Sequence, residues 1–332
     1  MSLGRSSLVI SLPKHWTQLT ELKQGDTVSL AINRDRSLVI FPGLKKEKEI
    51  NKITLYVDAD EKDTSLVRKI IACYLNGYSD INLISKKFFT VSHQKAIRRI
   101  VQTLYMRIME ADTKEIQIAT LIDESKASIQ TGINRMYKIS SSMCRDAFTA
   151  LKNSDAALAK SVYSLDDEVD RFSFFLLRLI RGASVDPVLA NQLGLEALDC
   201  LDYETLVYLI EQVADQAASM SKHIIMLDSR GKQISENLRE KIYAAGCDAL
   251  ANYDKAVNSM LANDVKCSDE IIENQARIEK LDQEIASLAF LKEKSTEVIC
   301  ACCSIRDSIL RIAENSADIA EITILRSYRP PT

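Results

Sequence analysis

The sequence predicts a mainly α chain, with a small β module at its N-terminus and a small α+β module behind it. Three observations predict this. Period-2 apolar alternation fills residues 4–42 and returns only in short runs up to residue 120. From about residue 122 onwards apolar residues recur at helical spacing. The prolines are Pro13, Pro42, Pro187, Pro330 and Pro331, so long proline-free stretches favour helix.

The elements follow in order. Leu8, Ile10 and Leu12 alternate onto one face of a first strand that Pro13 ends. Lys14 to Leu22 reads as a short helix and Gly25-Asp26 as a turn. Val28, Leu30 and Ile32 share a face, as do Leu38 and Ile40, with a hairpin loop at 33–36 between them. Lys45 to Glu49 is a charged linker. Residues 52–120 alternate as strand Ile53–Val57, helix Ser65–Leu75, strand Ile81–Ile84, basic helix Gln94–Met109 and strand Glu115–Thr120. That order implies a small α+β module with its helices on one face.

The remainder reads as six long helices. Leu165, Val169, Phe172, Leu176 and Leu179 fall on one helical face, as do Leu206, Ile210, Val213 and Ala217. Breaks are expected at 152–155, 182–187, 228–231, 263–266 and, less marked, 290–294. Gly231 divides the six helices into two similar halves, packed as antiparallel bundles with short loops. The expected domains are 1–44, 50–121, 122–229 and 230–328.

With 332 residues, 46% of them hydrophobic, the chain can bury a sizeable core and suggests two or three domains. No apolar run approaches the roughly 18–20 residues of a membrane span, and no signal peptide is expected. A cytoplasmic location follows as the expectation. Eight scattered cysteines read as reduced thiols. The net charge of −3 hides an asymmetry. Residues 121–332 carry 24 Lys and Arg against 33 Asp and Glu, whereas residues 1–120 carry 19 against 13. A basic first third on an acidic body suggests different partners for the two parts.

Gly4 to Lys14, followed by Leu22-Lys23-Gln24-Gly25-Asp26-Thr27-Val28, resembles the AbrB/SpoVT/MazE swapped-hairpin family over about forty residues. One such unit has too little core to stand alone. The resemblance implies a homodimer whose interleaved hairpins close a barrel and remove exposed strand edges. It also implies DNA binding, and Arg5, Lys14, His15, Arg34 and Arg36 are the candidate contacts. The alternative is a module that only dimerises, with its arginines as solvated charges and His15 as a surface residue.

In the helical part, Asp166-Asp167-Glu168-Val169-Asp170 and Glu211-Gln212-Val213-Ala214-Asp215 each hold two carboxylates four residues apart. That spacing puts both on one helix face, about 5–6 Å apart at Cβ, where like charges are unfavourable. The pattern resembles the PhoU family over roughly 200 residues. The resemblance implies a divalent metal of the iron or zinc class at Asp166, Asp170, Glu211 and Asp215, and a role in phosphate homeostasis. An acidic solvated face or helix–helix salt bridges would equally account for the residues. In the second half Ile278 and Leu310 stand where the pattern has carboxylates, leaving Asp282 and Glu314 as a weaker pair.

Two further patterns are weaker. Cys300 and Cys303 have Cys-x-x-Cys spacing, but a single pair is a poor zinc signal, and core packing is the expected role. Lys86, Lys87, Lys95, Arg98, Arg99 and Arg107 make the middle module basic, either as a nucleic-acid surface or, as preferred here, a solvated face. No nucleophile–base constellation, Walker loop or dinucleotide fingerprint is present, so no enzyme is expected. What the two resemblances together imply is a regulator of phosphate uptake that binds DNA as a dimer. The alternative is an adaptor docking on a phosphate ABC transporter or signalling partner, without membrane insertion.

Overall fold

The computed structural model describes residues 9–32, 37–42, 51–58, 60–120, 122, 124 and 127–330. The chain divides into a unit of residues 1–51 and a unit of residues 52–331.

In the first unit, helix α1 (Lys14–Leu19) precedes an antiparallel pair, β1 (Val28–Ile32) and β2 (Leu38–Pro42), with Leu30 opposite Ile40. Gly25 makes the turn before β1 with φ +93, a conformation in which a side chain would be strained. The Asp26 carboxylate accepts the Lys23 amide at 2.6 Å in that turn. Residues 9–12, expected as strand, are not strand here. None of residues 9–30, 32 and 37–42 is buried. Leu30 is 59% exposed and Ile32 71% exposed.

The second unit opens with a four-stranded sheet in the order β3-β4-β6-β5. Its elements are β3 (Lys52–Val57), α2 (Asp63–Leu75), β4 (Asp80–Ser85), α3 (Val91–Thr103), β5 (Met106–Ala111) and β6 (Glu115–Thr120). The β3–β4 pair is parallel, as a helix crossover requires, and the other pairs are antiparallel. Ile81, Leu83, Ile116 and Ile118 face α2 and α3 in one core. The other face is polar, with Lys52 3.4 Å from Asp80, Gln117 donating to Asp80 at 2.9 Å and Asn82 to Glu115 at 2.7 Å. The sequence expectation ran the basic helix to Met109. Instead α3 stops at Thr103, Tyr105 takes φ +51, and β5 pairs with β6 as a hairpin.

Seven helices follow: α4 (Ile129–Asn153), α5 (Ala156–Val185), α6 (Pro187–Leu193), α7 (Ala197–Ser229), α8 (Glu236–Ala262), α9 (Ser268–Lys292) and α10 (Thr296–Ser327). Six are the expected long ones. The short α6 lies beyond the expected break. Asp186 caps it, Pro187 opens it and Gly194 closes it in the left-handed region. Ser154 and Asn263 take the same left-handed conformation at the α4 and α8 ends. One contiguous core runs through all six long helices. Close approach decides one crossing: a Cβ at Gly246 on α8 would lie 2.6 Å from the buried Phe148 ring on α4.

Ionic contacts join the parts of this unit. Arg178, buried on α5, donates to Glu124 at 2.7 Å, to the Tyr78 carbonyl at 2.9 Å, to the Gly77 carbonyl at 3.2 Å and to the Tyr74 carbonyl. It thereby caps the C-terminal end of α2, where carbonyls lack intrahelical partners. At the same end of the bundle, where Arg181 on α5 reaches Glu204 on α7 at 3.3 Å, Arg326 and Arg329 pair with Asp199 and Asp202, tying the end of α10 to the start of α7. Burial alone would raise the Asp199 carboxyl. The Glu196 amide and the two guanidiniums hold it below its usual value instead.

Candidate functional site

The carboxylate pairs sit on α5 and α7, the most extensively packed neighbours in the bundle. Asp155 starts α5 by accepting the amides of Ala157 and Leu158, both at 3.0 Å. A capping box of Glu196 and Asp199 starts α7. Each helix buries the residues between its carboxylates: Val169 on α5, Val213 and Ala214 on α7. Burying these residues holds the flanking carboxylates half out of water.

The two pairs come together. Asp166 is raised to about 6 by burial, then by Asp215 and Asp170. Asp170 is raised to about 6 by burial and Asp215. Glu211 is raised to about 7 by burial, then by Asp215, with Asp170 and Asp166 adding to the effect. Asp215 is raised by burial and held back by Lys222. Four acids on two helices thus share one field, and each disfavours ionisation of the next. Lys222, whose ammonium lies 5.1 Å above the Tyr163 ring, is the cation nearest in effect to Asp166 and Asp215. His223 beside it is lowered by burial and by Lys222. Arg99 on α3 binds Asp167 at 3.0 Å and eases the Asp170 charge. The spacing of the motif alone pointed to neither Lys222 nor Arg99.

The donor chemistry suits a hard or borderline divalent cation, which would relieve the shared repulsion. As the side chains stand, no three ligating groups among the described residues are gathered as in a preformed metal centre. A bound ion would have to draw them inward.

The second half is arranged differently. Ile278 is 2% exposed and belongs to the core. Asp282 accepts from Nε and Nη2 of Arg306, both at 2.7 Å, a bidentate pair that neutralises it. Glu314 is exposed on α10. Of the cysteine pair, Cys300 is exposed and Cys303 half-buried, so the expected core role fails for Cys300; the neighbouring Cys302 is the buried one. All eight cysteines are free. Of the candidate DNA contacts, Lys14 and His15 are exposed at the start of α1. Arg5, Arg34 and Arg36 lie outside the described residues. Among the described residues no helix is long and apolar enough to cross a membrane.

Comparisons with known proteins converge on the helical region. The family model described as PhoU domain matches residues 133–224, from α4 into the last turns of α7, a stretch that holds all four carboxylates. The crystal structure of PhoU from Pseudomonas aeruginosa is similar over 60% of this chain and 96% of that one, at 16% identity and a TM-score of 0.53. That of the phosphate transport system regulatory protein PhoU from Streptococcus pneumoniae is similar over 60% and 93%, at 14% identity and a TM-score of 0.50. No curated protein matches. Residues 133–224 therefore match the PhoU domain family, and the chain shares the fold of PhoU structures over three-fifths of its length.

Proposed function

We propose that this chain is a regulator of phosphate uptake, and not an enzyme, that couples a PhoU-like bundle to an N-terminal DNA-binding module. The observation that carries this reading is the carboxylate quartet of α5 and α7 inside the stretch that matches the PhoU domain. A protein of this fold is described as a phosphate transport system regulatory protein. The chain acts in the cytoplasm as a homodimer. The unburied apolar residues of its first unit, Leu30 and Ile32 among them, supply the surface a second copy would cover. Arg5, Lys14, His15, Arg34 and Arg36, doubled by symmetry, contact the DNA.

A divalent ion of the iron or zinc class binds between Asp166, Asp170, Glu211 and Asp215 and biases the bundle toward one arrangement. Metal analysis of purified protein checks this part. The expected outcome is retained metal that is lost on Asp170→Ala plus Asp215→Ala; no metal in either protein removes it.

The regulator reading is tested by chromatin pull-down with sequencing, with enrichment at phosphate-transport promoters as the expected result. Binding in gel shifts should weaken steeply with salt, and absence of binding at low salt refutes the DNA role. One observation favours the adaptor reading instead. Leu198, Leu201 and Tyr208 are exposed at helical spacing along α7, one turn before Glu211. Such a stripe suits docking on a transporter component or signalling partner. Charge reversal of Arg5, Arg34 and Arg36 separates the two: it abolishes regulation under the first reading and leaves docking intact under the second.

A further inference from the structure

The α+β module contains a cleft that the carboxylate quartet does not explain. It measures about 610 Å³ and is lined by Val57, Asp58, Asp60, Glu61, Ser65, Lys69, Lys86 and Lys87. That volume falls within the range of small-molecule sites. Its place in the fold is specific. Val57 ends β3, and Lys86 and Lys87 follow the end of the parallel strand β4. Ligands of parallel sheets bind outside the carboxyl ends of the strands.

The charges of the cleft sort into two sets. Lys69 is committed to Glu61 at 2.8 Å, and Ser65 donates to the same carboxylate at 2.7 Å. Burial alone would raise Glu61, yet these contacts hold it below its usual value. The loop that carries it is braced from below. The buried His93 ring lies 2.7 Å from the Glu61 carbonyl, and Ser92 binds Asp63. By contrast Asp58, Asp60, Lys86 and Lys87 are exposed, and none has an ion-pair partner among the described residues. Two free carboxylates therefore stand on the β3–α2 loop and two free ammoniums on the β4–α3 loop. The helix α2 between them starts without a side-chain cap from Lys62.

Two cations and two anions across one cleft give little net attraction for a bare anion. They match a ligand that is itself divided in charge. Mg²⁺ is typically held by one or two carboxylates, with phosphate oxygens and water completing its shell. Lysine is an ordinary partner for the remaining phosphate oxygens. We propose that this cleft binds a phosphate group together with a divalent cation, the cation on Asp58 and Asp60 and the phosphate on Lys86 and Lys87. The same chemistry is presented by inorganic phosphate and by a nucleoside polyphosphate. The site is independent of the α5–α7 quartet.

Calorimetric titration of the full chain tests it, with inorganic phosphate, MgADP and MgATP as probes at up to millimolar concentration, each with Mg²⁺ and with excess chelator. The expected result is Mg²⁺-dependent binding of at least one probe, and which one identifies the source. Lys86→Ala plus Lys87→Ala weakens it by about tenfold or more. Asp58→Asn plus Asp60→Asn removes the Mg²⁺ dependence. Circular dichroism confirms that both variants stay folded, as exposed loop positions allow. Asp170→Ala plus Asp215→Ala leaves this binding unchanged, which separates it from any ion at the quartet. No binding of any probe, binding indifferent to chelator, or binding untouched by both cleft variants overturns the proposal.

Discussion

Asp170 is costly to the fold at neutral pH, because burial and Asp215 both oppose its charge. The sign follows from linkage. A carboxyl raised in the folded state binds its proton more tightly there than in the unfolded chain. Its destabilising effect is absent below the ordinary value near pH 4 and complete once pH has passed the value of about 6 to which Asp170 is raised, with Glu211 following at about 7. The quartet's contribution to stability therefore falls as pH rises across that window. Asp170→Asn should raise the unfolding free energy at pH 8 by about 0.5–1 kcal/mol after solvent screening, and flatten the dependence between pH 5 and pH 8. Urea unfolding at the two pH values measures both. Arg178 behaves oppositely, since its charge is matched. Arg178→Met leaves Glu124 without its guanidinium and three carbonyls without their donor. Breaking a buried pair this way costs about 3–5 kcal/mol. Hydrogen exchange should show the loss first in residues 63–78.

At the scale of elements, α4 and α8 meet where Gly246 admits Phe148. Alanine would gain up to about 1 kcal/mol in helix propensity, whereas overpacking costs about 1–3 kcal/mol. The Phe148 ring is buried and cannot swing out, so Gly246→Ala should lower the unfolding temperature, and Phe148→Leu in the same chain should restore it. The long helices were legible in the sequence because 3.6-residue periodicity survives over 25 or more residues, as in α4 and α5. The strand β5 was not. Its six residues follow a basic helix with no Gly or Pro between, and the stop is the backbone of Tyr105. The carboxylate spacing within α5 and within α7 was legible, since it is local. The meeting of Asp215 with Asp166 and Asp170 depends on helix pairing, which spacing alone does not carry. Arg178 was hidden for a related reason: it stands in the apolar run Leu176 to Ile180, and its partners lie about 100 residues away.

For the whole molecule, the contrast is between a unit with a continuous core and one in which none of residues 9–30, 32 and 37–42 is buried. If a second copy covers the first unit, Leu30→Lys plus Ile32→Lys should convert dimer to monomer in light scattering. The unfolding temperature of the helical region should stay where it was, because its core lies wholly within residues 52–331. A dimer that survives both substitutions would place the self-association elsewhere.

The grip of Arg178 on α2 has a mechanical side. The 13 residues of α2 form a rod of about 20 Å, with its first turn bordering the cleft and its last carbonyls in the fork of Arg178. Hydrogen-bonded helices are stiff along their axes, so thrust or tension applied at Glu61 arrives at Tyr74 with little lost to bending. The same α5 helix that carries Arg178 carries Asp170 two turns earlier. Any load on the cleft loop is thus taken up at the Arg178 anchor on α5.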